Sequence, residues 1–100
     1  MDGIFVRSRT PPIVEIDTSA GAAYVRFRRT RVARTQQLPR PGVIVTVDYD
    51  SGGEVIGIEL LGVREFGIIK LLEVAQAKTP NIDLNRARYI RAGGQLATAG

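Results

Sequence analysis

The sequence predicts a single α+β domain: an antiparallel β-meander of about five strands with one C-terminal helix packed on one face. Three observations lead there. Two pairs of stretches, 14–17 with 22–28 and 43–49 with 54–61, place branched side chains at the period of a half-buried strand and are separated by turn residues. One later stretch, 63–78, switches to helical spacing. One hundred residues suffice for one domain with a core of one sheet face against one helix.

Taken in order, residues 1–11 are expected to be a flexible N-terminal segment, running through Pro11-Pro12 into the first strand. The domain proper spans 12–91. Strands are expected near 13–17 and 22–28, joined by a loop at 18–21. Pairing Asp17 with Ala22 sets Val14 against Val25 and Ile16 against Ala23 and leaves Glu15, Asp17, Tyr24 and Arg26 on the more polar face. A third strand, 32–38, is polar and belongs near an edge. Pro39-Arg40-Pro41-Gly42 reads as a turn.

The second hairpin carries the strongest signal. A bend centred on Ser51-Gly52 sets Val43, Val45 and Val47 against Leu60, Ile58 and Ile56. Gly57, a glycine inside a strand, marks a bulge or the close approach of another element. The helix is expected over 64–78. Ile68, Leu71, Leu72 and Ala75 form its buried face, Glu65 and Lys78 suit its dipole, and Pro80 ends it. Gly67 weakens its first turn. Asp83 is placed to cap a short turn, a final strand is expected near 87–90, and 92–100 reads as a disordered tail.

Composition narrows the chemistry. There is no cysteine and no histidine. Disulfides, thiol nucleophiles, Ser-His-Asp catalysis and Cys/His zinc sites are therefore excluded. Met1 to Pro12 has no continuous apolar region of the signal-peptide kind, and 66–77 is too short and too charged to span a bilayer. A cytoplasmic location is the expectation. Net charge is +4, and all but two of the fourteen cations are arginine, a residue suited to phosphate and carboxylate partners.

Asp48, Asp50, Gly53 and Glu59 fall at the first, third, sixth and twelfth positions of a calcium loop. The expected register puts Glu59 opposite Ile44, roughly 13 Å from Asp48, and strands rather than helices flank the segment. A polar turn is the better reading, and no cofactor or metal is expected. Arg26, Arg28, Arg29, Arg31 and Arg34 make the densest basic stretch, with Tyr24 and Phe27 among them. They are candidate contacts for nucleic acid or another anion, although Phe27 has core parity. Glu15, Asp17 and Glu59 are the residues a carboxylate-based enzyme would use. No nucleophile or phosphate loop accompanies them. The second sheet face carries Ile44, Thr46, Val55 and Leu61, a candidate protein interface.

The segments Val14-Glu15-Ile16-Asp17 with Ala23-Tyr24-Val25-Arg26-Phe27, and Val45-Thr46-Val47-Asp48-Tyr49-Asp50 with Glu54-Val55-Ile56-Gly57-Ile58-Glu59, resemble the DUF2283 family of small prokaryotic domains. The resemblance covers about residues 13–63. The part 80–90 resembles the extension of longer members. Two departures are Gly21, where the family often has Asp, and Gly62-Val63-Arg64, where it often has Ser before the helix. The resemblance supplies no established activity and no site residues. Some members resemble partners of small toxin-like proteins encoded beside them. A non-enzymatic interaction module, self-associating or antitoxin-like, is therefore the favoured expectation, its partner a second copy or a neighbour-encoded protein. A nucleic-acid-binding accessory is the alternative.

Overall fold

The computed structural model describes residues 3–92. In chain order these form β1 (Ile4–Phe5), β2 (Ile13–Asp17), β3 (Ala22–Arg26), β4 (Arg34–Arg40), β5 (Val43–Tyr49), β6 (Val55–Leu61), α1 (Ile68–Ala75), β7 (Ala77–Lys78) and β8 (Arg88–Arg91), with a 3-10 turn at Leu84–Arg86 before β8. Six strands make one mixed sheet in the order β4-β5-β6-β3-β2-β8, and β1 pairs with β7 in a small parallel ladder. The class is α+β. Of the tail 92–100, expected to be disordered, residues 93–100 lie outside the described residues, and Ala92 donates its N–H to the Ile16 carbonyl. No helix among the described residues is long and apolar enough to cross a membrane.

The strand order is not a meander. β3 pairs with β6, and β4 is displaced to the far edge beyond β5. The reason is hydrophobic matching. Against β6, the side chains of Ala23 and Val25 meet Leu60 and Ile58, whereas β4 offers Thr35, Gln36 and Gln37, residues suited to an edge. Residues 27–33 make the crossing. Phe27 and Arg28 both donate their N–H to the Ile56 carbonyl, and Ala33 donates to Tyr49. Pro39 and Arg40, expected in a turn, extend β4. Its edge position tolerates the N–H that proline lacks, and the turn shrinks to Pro41-Gly42, with Gly42 at φ 74° as the third residue of a type II turn requires.

The first hairpin pairs as expected: Asp17 with Ala22, Val14 with Val25, Ile16 with Ala23. The second keeps its parity but slides by two residues. Val45 faces Leu60, Val47 faces Ile58, and Glu59 stands opposite Thr46 rather than Ile44. The bend is wider than a Ser51-Gly52 turn because Asp50 organises it. Its Oδ1 accepts from the N–H groups of Gly52 (2.9 Å) and Glu54 (3.0 Å), and its own N–H donates to the Glu54 carbonyl. The ladder then skips from Tyr49–Val55 to Asp48–Gly57. Ile56 is the extra residue of a β-bulge, and alternation inverts across it. Val55 consequently points into the core, where it is buried, and does not belong to the second face.

α1 is shorter than 64–78, but its buried residues are the four expected: Ile68, Leu71, Leu72 and Ala75. Both ends draw a partner from a remote strand, and the C-terminal end is also closed locally by the Gln76 N–H, which donates to the Glu73 carbonyl. Gly67 has no side chain to offer, so the first helical N–H, that of Ile68, donates to the Tyr89 hydroxyl of β8 at 2.8 Å. At the other end the buried Arg40 of β4 donates Nε–H to the Ala75 carbonyl at 2.9 Å, placing a cation at the negative end of the helix. Gln76 then turns with φ 58° and ends the helix, so Glu65 and Lys78 lie outside it and Lys78 enters β7.

The N-terminal segment also departs from expectation. Ile4 and Val6 are buried in the same cluster as Val14, Val25, Ile58, Leu60 and Leu71. The Ile4 and Val6 N–H groups donate to the carbonyls of Gln76 and Lys78. Ile-Phe-Val is itself an alternating triplet, with Phe5 outward and its neighbours inward. The β8 strand, expected at 87–90, is found at 88–91, paired in parallel with β2.

Because Val6 is fully buried, Val6→Ala should lower the unfolding free energy by about 2 kcal/mol, read from urea titrations. An unchanged midpoint would mean that this segment does not share the cooperative core.

Candidate functional site

α1 and the N-terminal segment pack on the face carrying Val14, Val25, Val45, Val47, Ile58 and Leu60. The opposite face is the candidate site, and the ladder registers arrange it in three rows. One row runs Pro39, Ile44, Leu61, Ala22, Asp17; the next runs Gln37, Thr46, Glu59, Tyr24, Glu15, Ile90; the third runs Thr35, Asp48, Gly57, Arg26, Ile13, Arg88.

The first row is apolar over four strands. Ile44 and Leu61 are directly opposed, and Ile44 is 46% exposed. Together with Gly42, Val43 and Gly62 they line a shallow depression of about 450 Å³. Of the four residues expected at a protein interface, the structure thus brings Ile44 and Leu61 side by side, sets Thr46 in the adjoining row, and turns Val55 inward.

The middle of the face is a polar belt built around Tyr24. Its ring leans across Gly57 of β6, and its hydroxyl donates to Asp48 Oδ2 on β5 at 2.7 Å. A Cβ at Gly57 would overlap the Tyr24 hydroxyl and ring carbons, so the glycine is what lets the ring lie flat on the sheet. Asp48 Oδ1 accepts from Thr35 Oγ1 of β4 at 2.7 Å. On the other side Arg26 sits over the Tyr24 ring, 5.2 Å from its centroid, and pairs with Glu15 of β2 at 2.9 Å. Four strands, β4, β5, β3 and β2, are thereby tied through side chains across the glycine of β6. Burial first, then the hydrogen bond and negative charge of Asp48, pushes the Tyr24 phenol well above its usual pKa of 10.0. Asp17 is held below its ordinary value by hydrogen bonds from the Ser19 hydroxyl and then the Ala20 N–H.

The carboxylates named as candidates for acid–base work are distributed along this face. Glu15 and Glu59 flank Tyr24 in its row, and Asp17 is a turn cap. Asp48, which in the calcium-loop pattern would be the first ligand, has hydrogen bonds on both oxygens. Asp50 holds the turn.

The five arginines of 26–34 do not all share one surface: Arg26, Arg28 and Arg29 border one groove, and Arg31 and Arg34 are not part of it. Arg26 belongs to the belt. Arg28 reaches Asp50 at 3.6 Å. Arg34 has the opposite parity and stacks 4.0 Å over the Tyr49 ring. Arg29 and Arg31 lie in the exposed crossing, without a hydrogen bond or ion pair among the described residues. The basic residue that sequence reasoning missed is Arg88. Its parallel register places it beside Ile13, across from Arg26, a proximity that no local pattern encodes.

Two outcomes test the belt. Gly57→Ala should cost roughly 1–3 kcal/mol, and most of that loss should vanish in a Tyr24→Ser background, since the clash is pairwise. Additive losses would break the link. The raised phenol stabilises the folded state fully below pH 10, where both states keep the proton. That stability is lost as the pH rises further, because the unfolded chain ionises first. Tyr24→Phe should therefore be less stable near neutrality yet show a flatter alkaline limb in denaturation scans above pH 10. A limb as steep as the wild type's would assign the loss to other groups.

The family described as "Protein of unknown function (DUF2283)" matches residues 13–64, just over half of the chain. No curated protein and no solved structure matches. The matched span begins at the first residue of β2 and closes three residues beyond β6, so it takes in β2 through β6 and with them the belt. The chain belongs to the DUF2283 family.

Proposed function

We propose that this protein is a non-catalytic interaction module that associates with a second copy of itself through the open sheet face. The observation that carries the reading is the apolar row Pro39, Ile44, Leu61 and Ala22, which no described element covers. Sheet faces of this kind pack about 10 Å from another sheet. A two-fold axis through the row would set Ile44 and Leu61 of one copy on Leu61 and Ile44 of the other, the self-complementary geometry of an isologous contact.

The belt supports the same reading. A phenol whose proton is held by Asp48 is a poor base, and Asp48 is occupied by two donors. The belt instead offers rigid, mutually paired groups able to form the polar rim of an interface at little entropic cost. A neighbour-encoded protein, the antitoxin-like form of the reading, would use the same row.

Sedimentation velocity over a micromolar concentration series is the test. The wild-type chain should sediment as a dimer and Ile44→Glu as a monomer with an unchanged circular dichroism spectrum. A wild-type chain that remains monomeric throughout would end the self-association reading.

A further inference from the structure

At the end of the open face farthest from the apolar row, cationic side chains gather from three separated parts of the sequence. Ile13 starts β2 there, with Arg26 beside it on β3 and Arg88 beside it on β8. The strand spacing places the two arginine positions about 10 Å apart across Ile13. The chain before β2 and the chain after β3 rise as two walls. Between them runs a groove of about 380 Å³ lined by Thr10, Ile13, Arg26, Arg28, Arg29 and Thr30. Ser8 ties the walls together, its hydroxyl donating to the Phe27 carbonyl at 3.3 Å.

Charge here is not balanced. Glu15 answers Arg26, and Asp50 answers Arg28 at the longer distance of 3.6 Å. Arg29, which lines the groove, and Arg9 and Arg88, which adjoin its residues Thr10 and Ile13, are exposed, and their side chains make no hydrogen bond or ion pair among the described residues. The hydroxyls of Thr10 and Thr30 are likewise undirected. The groove thus presents guanidinium forks and hydroxyl donors beside an apolar lining of Pro11, Ile13 and Phe27.

We infer that this groove binds the phosphodiester backbone of a single nucleic-acid strand. Guanidinium forks and threonine hydroxyls are the donors that phosphate oxygens take. An open, two-walled groove admits a continuous strand. Ile13 provides apolar surface for a sugar or base edge between the charges. Phe27, the aromatic nearest the groove, is buried, so no stacking platform selects bases, and the contact is to backbone and independent of sequence. The groove lies four residues along β3 from the apolar row, so a strand could occupy it in a monomer or in an associated form.

The test is fluorescence anisotropy of a short labelled single-stranded DNA titrated with the full chain across a salt series. With about three phosphates contacted, log K should fall against log[salt] with a slope near −2. Arg29→Glu with Arg88→Glu should weaken binding by at least about tenfold, whereas Arg64→Glu with Lys70→Glu, the same charge change beside α1, should leave it within about twofold. If the first pair disturbs the fold, Arg29→Gln with Arg88→Gln carries the same test and should still lose several-fold. No binding at low salt, equal losses from both pairs, or displacement by polyglutamate as effective as by unlabelled DNA would each overturn the assignment, the last in favour of an acidic protein surface.

Discussion

The extra residue at Ile56 governs the rest of the sheet. Before it, counting along β6 from the bend, Val55 faces the core; after it Gly57 faces outward and Ile58 and Leu60 face inward. One inserted position therefore serves two demands. It lets apolar residues on both sides of the bulge enter the core, and it brings the strand's one glycine to the open face opposite Asp48. Without that glycine there, the Tyr24 ring would have no flat ground to cross, and the tie from β3 over β6 to β5 would not form. Bulges beside functional surfaces re-aim side chains in this way. The Phe27 and Arg28 amides also converge on the Ile56 carbonyl, so the crossing that sends β4 to the far edge starts from the same irregularity.

Much of this was legible from the residues, and the misses share a cause. The first hairpin could be paired to the residue because a four-residue loop and strict alternation leave one register in which polarity agrees. The second hairpin shows the limit. Alternation fixes parity but not a slide of two, and the slide was decided by the Asp50 side chain, which holds a broader bend, and by the bulge. The inward turn of Val55 follows from it. Gly57 was flagged as a bulge or a close approach, and it adjoins the one and permits the other. The helix face was visible in the 3.6-residue period, but its ends were not, because Tyr89 and Arg40, which complete them, are remote in sequence and the left-handed cap falls on Gln76 rather than on a glycine. The parallel β8 and the N-terminal β1 depend on long-range pairing that periodicity does not record. With them went Arg88 and the basic end of the face.

The open face is segregated. Apolar side chains occupy one end, self-satisfied polar groups the middle, and unneutralised arginines the other. The belt lies between the two ends. Arg26 is answered by Glu15 and lies over the Tyr24 ring, so its charge is compensated within the belt. An apolar contact and an ionic contact on one sheet can then respond independently to salt, the first hardly and the second steeply.

The edge pairing of β8 on β2 has a consequence for biogenesis. Residues 88–91 hydrogen-bond to residues 13–16, and Tyr89 supplies the acceptor for the first amide of α1. A nascent chain emerging from the ribosome would expose one edge of β2 until some seventy further residues had been synthesised, whereas the helix start would gain its partner 21 residues on. Closure at such separation is entropically slow. Final assembly of the sheet therefore waits for β8, and the waiting edge is where a chaperone or a sister chain would first compete.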